Sequence, residues 1–225
     1  MESSFPEILP ETLEDILFHR EKRWKYAKPR FRYQNLPDSE RLSFEIMNWK
    51  SFGLYLNLFE NDPNPFVETQ LKIREEVEEY VVMLLESYWY SFKRGACDWF
   101  LKRKEDGVFV GVLHLYDLNH EFWDGKHFPP SFGYAIAEPF RRQGYAFEAS
   151  QHLLALIPPI FGRYEVTADP RLDNLASQAL LQKLGLREKR KSSTGRHVLF
   201  YKQLVHPLPK ITVEEAMREA DCGDE

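Results

Sequence analysis

Residues 137–158, AEPFRRQGYAFEASQHLLALIP, place two arginines, a glutamine and a glycine between a short apolar strand (SFGYAIAE, 131–138) and a helix (144–157). Backbone N–H groups at such a junction have no intrahelical acceptor, and the positive end of the helix dipole lies with them. Phosphate is the ligand that this arrangement suits. Gly144 removes a side chain where a ligand must approach the backbone closely. The N–H groups of Arg142, Gln143, Gly144, Tyr145 and Ala146 are the candidate donors, and Arg141 and Arg142 add charge. Taken alone, the same residues also describe an ordinary helix start with a turn glycine and surface arginines.

Two further groups of residues carry polar chemistry. Asn174 and Ser177 open the helix NLASQALLQKLG, where Asn at the cap and Ser in the first turn are favoured whatever the function. The segment 114–127 offers His114, Asp117, His120, Glu121, Asp124 and His127 as proton acceptors, and it reads equally well as a hydrophilic surface loop. No one of them stands out as a general base. The His114, His120, His127 spacing matches no metal-ligand template, and Cys97 and Cys222 form none either, so no metal is expected.

The elements that must position these residues are legible from periodicity and punctuation. Thr12 opens a helix signature that Pro29 stops. RLSFEIM (41–47) alternates as a strand, and NWKSFGLYLNLFEND reads as a helix capped by Asn48. A long amphipathic helix is expected over 69–93, with Val77, Tyr80, Val81, Leu84, Leu85, Tyr88 and Phe92 on one face. CDWFLKRKEDGVFVGVLHLYDL reads as a hairpin turning at Glu105-Asp106-Gly107, followed by a polar loop over 117–130. After the strand at 131–138 and the helix at 144–157, which Pro158-Pro159 should terminate, come the strand RYEVTAD and a helix closed by Gly185. A last hairpin turns near Ser192 to Gly195. Strands and helices alternate with hairpins intruding, which indicates a mixed α/β sheet.

The run GYAIAEPFRRQGYAFEA, followed by DNLASQALLQKLGL, resembles the GNAT family of acetyl-coenzyme-A-dependent N-acetyltransferases, and within it the branch that acetylates ribosomal-protein N-termini. The family signature falls on Arg141, Gly144 and Ala146; the branch's Asn-x-x-Ser pair falls on Asn174 and Ser177. The resemblance covers about 131–188, with looser similarity back to RLSFEIM and forward to FYKQL. It implies the acyl-CoA N-acyltransferase fold: a mixed, seven-stranded sheet flanked by helices and splayed between the strands at 131–138 and 163–168. It implies acetyl-CoA as cosubstrate, its pantetheine paired with the backbone of Ile136 and Ala137 and its pyrophosphate on the amides of Arg142 to Ala146. Many members carry a tyrosine as acid where this chain has Leu181. Ser177 is then implied as the hydrogen-bond donor near the sulfur, with Asn174 fixing the pantetheine or a water.

Composition bounds the rest. The 225 residues, 26.7 kDa, suit a domain at 41–205, a helical extension at 1–40 and an acidic tail at 206–225. A net charge of -5 gives no global pull toward nucleic acid, although the run from Arg20 to Arg32 is basic and aromatic. No apolar run is long enough to cross a membrane, no secretion signal is seen at the start, and two cysteines make no disulfide framework, so a cytoplasmic setting is expected. Packing on the sheet explains most of the aromatics of the helix at 69–93, and the same side chains offer a face for an acceptor pocket or for a second copy of the chain. The function so read is direct transfer of acetyl from acetyl-CoA to an amine in a ternary complex, the acceptor being a peptide N-terminus or a small amine. The alternative is a coenzyme-A-binding module without catalysis, serving interaction or sensing.

Overall fold

The computed structural model describes residues 35–47, 51–89, 95–118 and 129–205. Thr12, the basic run from Arg20 to Arg32, Asn48, Tyr90, Phe92, His120, Glu121, Asp124, His127 and Cys222 lie outside the described residues. Seven strands form one sheet: β1 (Leu42–Ile46), β2 (Ala96–Arg103), β3 (Phe109–Tyr116), β4 (Ser131–Ile136), β5 (Glu165–Ala168), β6 (Arg187–Lys191) and β7 (Val198–Gln203). Their order across the sheet is β1-β2-β3-β4-β5-β7-β6. Every pairing is antiparallel except β4 with β5, which is parallel and reduced to one register pair, Ser131↔Thr167. The sheet is therefore mixed, and it splays where the resemblance placed the opening.

Four α-helices lie among the described residues: α1 (Ser51–Phe59), α2 (Arg74–Trp89), α3 (Tyr145–Leu156) and α4 (Leu175–Lys183). Strand register assigns side chains to faces, since successive residues point to opposite sides. Trp99, Leu113 and Tyr134 are cross-strand partners on one face; Asp98, His114 and Gly133 are partners on the other. Helix α3 and the turn after it cover the first face, with the Trp99 and Phe161 ring centroids 6.2 Å apart and Phe44 stacked on His152 at 5.1 Å. Helices α1 and α2 cover the second, where Tyr55 meets Phe100 edge-on at 4.7 Å. Both faces of β2 and β3 are thus buried, which is why these strands read as near-continuous apolar runs.

Two details differ from the sequence expectation. The helix expected over 69–93 is divided into a 3-10 turn, Thr69–Leu71, and α2. The Lys72 carbonyl, which a continuous helix would use, accepts instead from Asn61 N–H at 3.3 Å, and the Lys72 ammonium reaches the Asn64 carbonyl in the preceding loop. Pro158-Pro159 also do not end the helical path. It widens into a π turn over Ile157–Phe161 and stops at Gly162, whose φ is 62°. Prolines at the start of a turn cost little, because their missing N–H would be unpaired there anyway.

Residues ahead of β1 already belong to the packed body. Leu36 is buried and bridges to Phe44, and Asn35 Oδ1 accepts from Ile46 N–H at 2.8 Å.

Candidate active site

Ala137, at the end of β4, leads into a 3-10 turn (Glu138–Phe140) and then an elbow with two residues in the left-handed region, Arg142 at φ 62° and Gly144 at φ 86°. A non-glycine residue at positive φ is costly, and the elbow keeps one beside its glycine. The first intrahelical bond of α3 runs from Glu148 N–H to the Gly144 carbonyl at 3.0 Å. The N–H groups of Tyr145, Ala146 and Phe147 precede it and are the uncommitted donors of the helix start.

The side chains around this cradle are not all placed as their types suggest. Arg141 turns inward: its Nε donates to the Ile136 carbonyl at 2.9 Å and its terminal nitrogen pairs with the buried Asp62 carboxylate. Its charge is spent on fixing the elbow. Gln143 Nε2 donates to the Pro139 carbonyl at 3.0 Å. Arg142, Gln143 and Gly144 are exposed. The cation that stands over the cradle is Arg41, which the sequence did not disclose. Its Nη1 donates to the Gln143 carbonyl at 3.1 Å, its guanidinium lies 4.6 Å from the Tyr145 ring centroid, and a Cβ built on Gly144 would lie 3.3 Å from its Nη2. Glu148 holds Arg41 in place and also accepts from Ser39 Oγ at 2.7 Å and Arg41 N–H at 2.8 Å. Partial burial pushes the Glu148 carboxyl up, but these hydrogen bonds from Ser39 and Arg41 outweigh it and leave it below the ordinary value.

From the elbow an open strand edge leads into the splay. Ala137 N–H bonds Val110 O at 3.0 Å, so β4 residues of odd number turn their amides to β3. Pro130 O accepts from Thr167 N–H at 2.8 Å at the closed end of the gap. Between these points Tyr134 and Ile136 turn their amides toward β5, past the single rung that joins it. The two backbone groups of Ala137 are both taken, its carbonyl by Phe140 N–H at 2.9 Å, and the Ile136 carbonyl is held by Arg141. The groups facing the gap are therefore the Ile136 N–H and both groups of Tyr134, one step back from the expected Ile136 and Ala137.

Across the gap, Asn174 caps α4 through Oδ1, which accepts from Ser177 N–H at 3.1 Å. The Ser177 hydroxyl accepts a 3.1 Å hydrogen bond from the Tyr134 phenol on β4. Burial raises the Tyr134 phenol above its ordinary value more than the Ser177 contact lowers it, so it stays protonated and keeps donating at neutral pH. The serine's own proton is then free to point at a ligand. Tyr134 was missed in the sequence; only its two-residue spacing from buried Phe132 and Ile136, on the same strand face, could have marked it as facing the α3 side. Leu181, at the position where many family members have tyrosine, is 1% exposed and belongs to the core.

On the opposite face of β4 lies a second polar group. His114 is a β3 residue, not a member of the following loop, and its Nδ1 is 2.8 Å from Asp98 Oδ2. Tyr55 donates to the same oxygen, and the Tyr80 phenol lies 3.3 Å from it, 3.4 Å from His114 Nδ1 and 3.0 Å from the Tyr116 hydroxyl. Asp98 is fully buried, and its Oδ1 has no hydrogen-bond partner among the described residues. Among the described residues no group of three or more His, Cys, Asp or Glu side chains could hold a metal ion, and no helix is long and apolar enough to cross a membrane.

Comparisons with known proteins agree with this fold. Residues 32–187 match the family described as Acetyltransferase (GNAT) domain. No curated protein sequence matches the chain. Among solved structures, RimL, a ribosomal alpha-N-protein acetyltransferase in complex with coenzyme A, superposes with a TM-score of 0.59 at 16% identity, covering 76% of this chain and 98% of that one. An acetyltransferase from Agrobacterium tumefaciens gives 0.58 at 18% identity, covering 78% and 98%. The spermidine N-acetyltransferase from Vibrio cholerae, in complex with coenzyme A and spermine, gives 0.55 at 15% identity, covering 72% and 95%. These likenesses share the fold of the mixed, splayed sheet. With the family match extending over more than half of the sequence, this chain belongs to the GNAT acetyltransferases.

Proposed function

We propose that the chain transfers acetyl from acetyl-CoA to an amine by direct attack within a ternary complex. The observation that carries this reading is the continuity of two features: a helix-start cradle at Gly144 and an unpaired strand edge at Tyr134 and Ile136. An amide-bearing arm ending in phosphates needs both, in that order, and a simple phosphate needs only the first.

In this reading the pyrophosphate lies on the amides from Arg142 to Ala146, with Arg41 above them, and the pantetheine pairs with Ile136 N–H and the Tyr134 backbone. The fit rests on the cradle itself: a side chain at position 144 would enter the space beneath Arg41. Arg141 supports the cradle from behind through Asp62 and the Ile136 carbonyl. Asn174 fixes the first turn of α4, and Ser177 presents its proton to the departing sulfur. Tyr134, by donating to Ser177, makes that hydroxyl a better donor. A coenzyme thiolate is stable enough to leave on a hydrogen bond without full protonation. The Tyr134–Ser177 contact favours catalysis over the alternative of a non-catalytic coenzyme-binding module, because it supplies the role left open by Leu181.

The acceptor is an amine. Known structural neighbours act on a ribosomal alpha-amine or on spermidine, so a peptide beginning with serine and spermidine are the first probes. The test is release of free thiol from acetyl-CoA with each amine, alongside calorimetric binding of coenzyme A. Thiol release that depends on the amine is the expected result. Tight coenzyme binding with no turnover on a broad amine panel supports the module instead, and absence of coenzyme binding removes both readings.

A further inference from the structure

Acyl transfer to an amine involves two proton movements on opposite sides of one carbonyl: one at the leaving sulfur, one at the attacking nitrogen. The structure places one pair of polar groups on each face of the strand that lines the gap. Tyr134 points to one face and meets Ser177. Gly133, its neighbour, points to the other face and pairs in register with His114. A group on the Gly133 face stands across β4 from the Tyr134–Ser177 pair, and so can serve the nitrogen while that pair serves the sulfur.

His114 has the arrangement of an oriented base. Nδ1 is held by Asp98, which fixes the tautomer with hydrogen on Nδ1 and the lone pair on Nε2. Nε2 has no hydrogen-bond partner among the described residues. The ring carbon bonded to it, Cδ2, is the atom nearest to Gly133: a Cβ there would lie 3.8 Å away. Because residue 133 has no side chain, nothing of its own stands between the Nε2 edge of the ring and the strand edge beyond. We propose that His114, oriented by Asp98, accepts the proton of the acceptor amine across Gly133, directly or through one water.

The step balances within the proposed reaction. The neutral amine's lone pair forms the C–N bond, the extra proton on that nitrogen passes to His114 Nε2, and the C–S bond breaks with its electron pair leaving on sulfur. His114 then returns the proton to solvent. Among the described residues its surroundings are Asp98 on β2, to which Tyr55 on α1 also donates, Tyr80 on α2, Tyr116 stacked at 5.7 Å on β3, and the charge of Glu68 ahead of the 3-10 turn. Burial pushes the imidazole down, but the charge and hydrogen bond of Asp98 more than offset it, so His114 titrates above the ordinary histidine value. Turnover should then rise with pH through a limb above about 6.5, as the ring loses its proton.

The inference rests on the acetyltransferase reading, and the two fail differently. With the full chain, acetyl-CoA and spermidine or a serine-initiated peptide, His114→Gln should lower kcat about 100- to 10,000-fold. Its coenzyme A affinity by calorimetry should stay within about twofold of wild type, as a site that retains its cradle requires. Asp98→Asn should move the alkaline-rising limb of kcat to lower pH, and added imidazole should restore part of the rate of His114→Gly. A second measurement needs no variant: the His114 ring, titrated by NMR in the wild-type protein with coenzyme A bound, should share its midpoint with the kcat limb. Undiminished turnover in His114→Gln, or an NMR midpoint more than about one pH unit from the limb, overturns the assignment while the acetyltransferase reading stands. Wild-type protein that binds coenzyme A but releases no thiol with any amine overturns both.

Discussion

Arg41 and Glu148 stand 107 residues apart in the chain, yet Arg41 Nε lies 2.7 Å from a Glu148 carboxylate oxygen. The pair joins the entry to β1 with the first turn of α3, and it holds a guanidinium over the amides that the proposed pyrophosphate would use. A carboxylate in the first helical turn is favourable in its own right, but here it also sets where the cation stands. Arg41→Ala should therefore weaken coenzyme A binding, by roughly tenfold to 150-fold if the lost contact is one charge-assisted hydrogen bond. Calorimetry with coenzyme A and with a phosphate-free pantetheine checks it: only the former should lose affinity.

Glu148 also gives a pH dependence whose sign is fixed. Its carboxyl is held below the ordinary value in the folded protein. The stability it contributes is present above the unfolded value, about 4.5, and is lost as pH falls through the lower folded value. Thermal denaturation of wild type and Glu148→Gln should differ at pH 7, and the difference should shrink as pH falls below the ordinary carboxyl value of about 4.5. A difference that persists unchanged at pH 3 would assign the effect to packing.

Gly144→Ala should destabilise the fold by about 1–2 kcal/mol, the cost of placing an L side chain at left-handed backbone angles. Gly144→Glu should in addition abolish coenzyme A binding, by setting a carboxylate in the cradle. Denaturant titration checks the first and calorimetry the second; unchanged affinity in Gly144→Glu removes the pyrophosphate from this elbow.

Tyr134→Phe and Ser177→Ala should each keep coenzyme binding and lower kcat, by about 10- to 100-fold. Because the two hydroxyls act in series, the double variant should be little worse than Ser177→Ala alone. Multiplicative losses would mean that they serve separate steps.

Asp62 is buried and its partner Arg141 is half-buried. Asp62→Asn should cost about 1–3 kcal/mol in stability, since it leaves the guanidinium with a weaker acceptor. It should also loosen the elbow, seen as weaker coenzyme binding. Lost stability with unaltered affinity would separate Arg141 from the cradle.

The elbow was legible because a helix start leaves a local mark: a glycine, uncommitted amides and the first helical turn within a few residues. The hairpin of β2 and β3 was legible for a similar reason, with Arg103, Asp106 and Gly107 making its turn within five residues. Arg41, Tyr134 and Asp62 left no such mark. Each acts through a partner far along the chain, Glu148, Ser177 and Arg141, and nothing in local spacing records a contact made by folding. His114 lay within the run GVLHLYDL that reads as the second hairpin strand, but its pairing with Asp98 across β2 left no local mark, so the sequence offered it only as one proton acceptor among several. The π turn after α3 was hidden by its prolines, whose usual meaning is a stop.

The lone rung between Ser131 and Thr167 has a consequence for the pace of the cycle. In the proposed complex the pantetheine arm would pair with Tyr134 and Ile136 as an eighth strand, completing a ladder that the described strands leave unfinished. Spent coenzyme keeps the same arm as the loaded form, so it should grip that edge just as well after the acetyl group has gone. Shedding the used carrier, rather than forming the amide, would then be the slow event of each round.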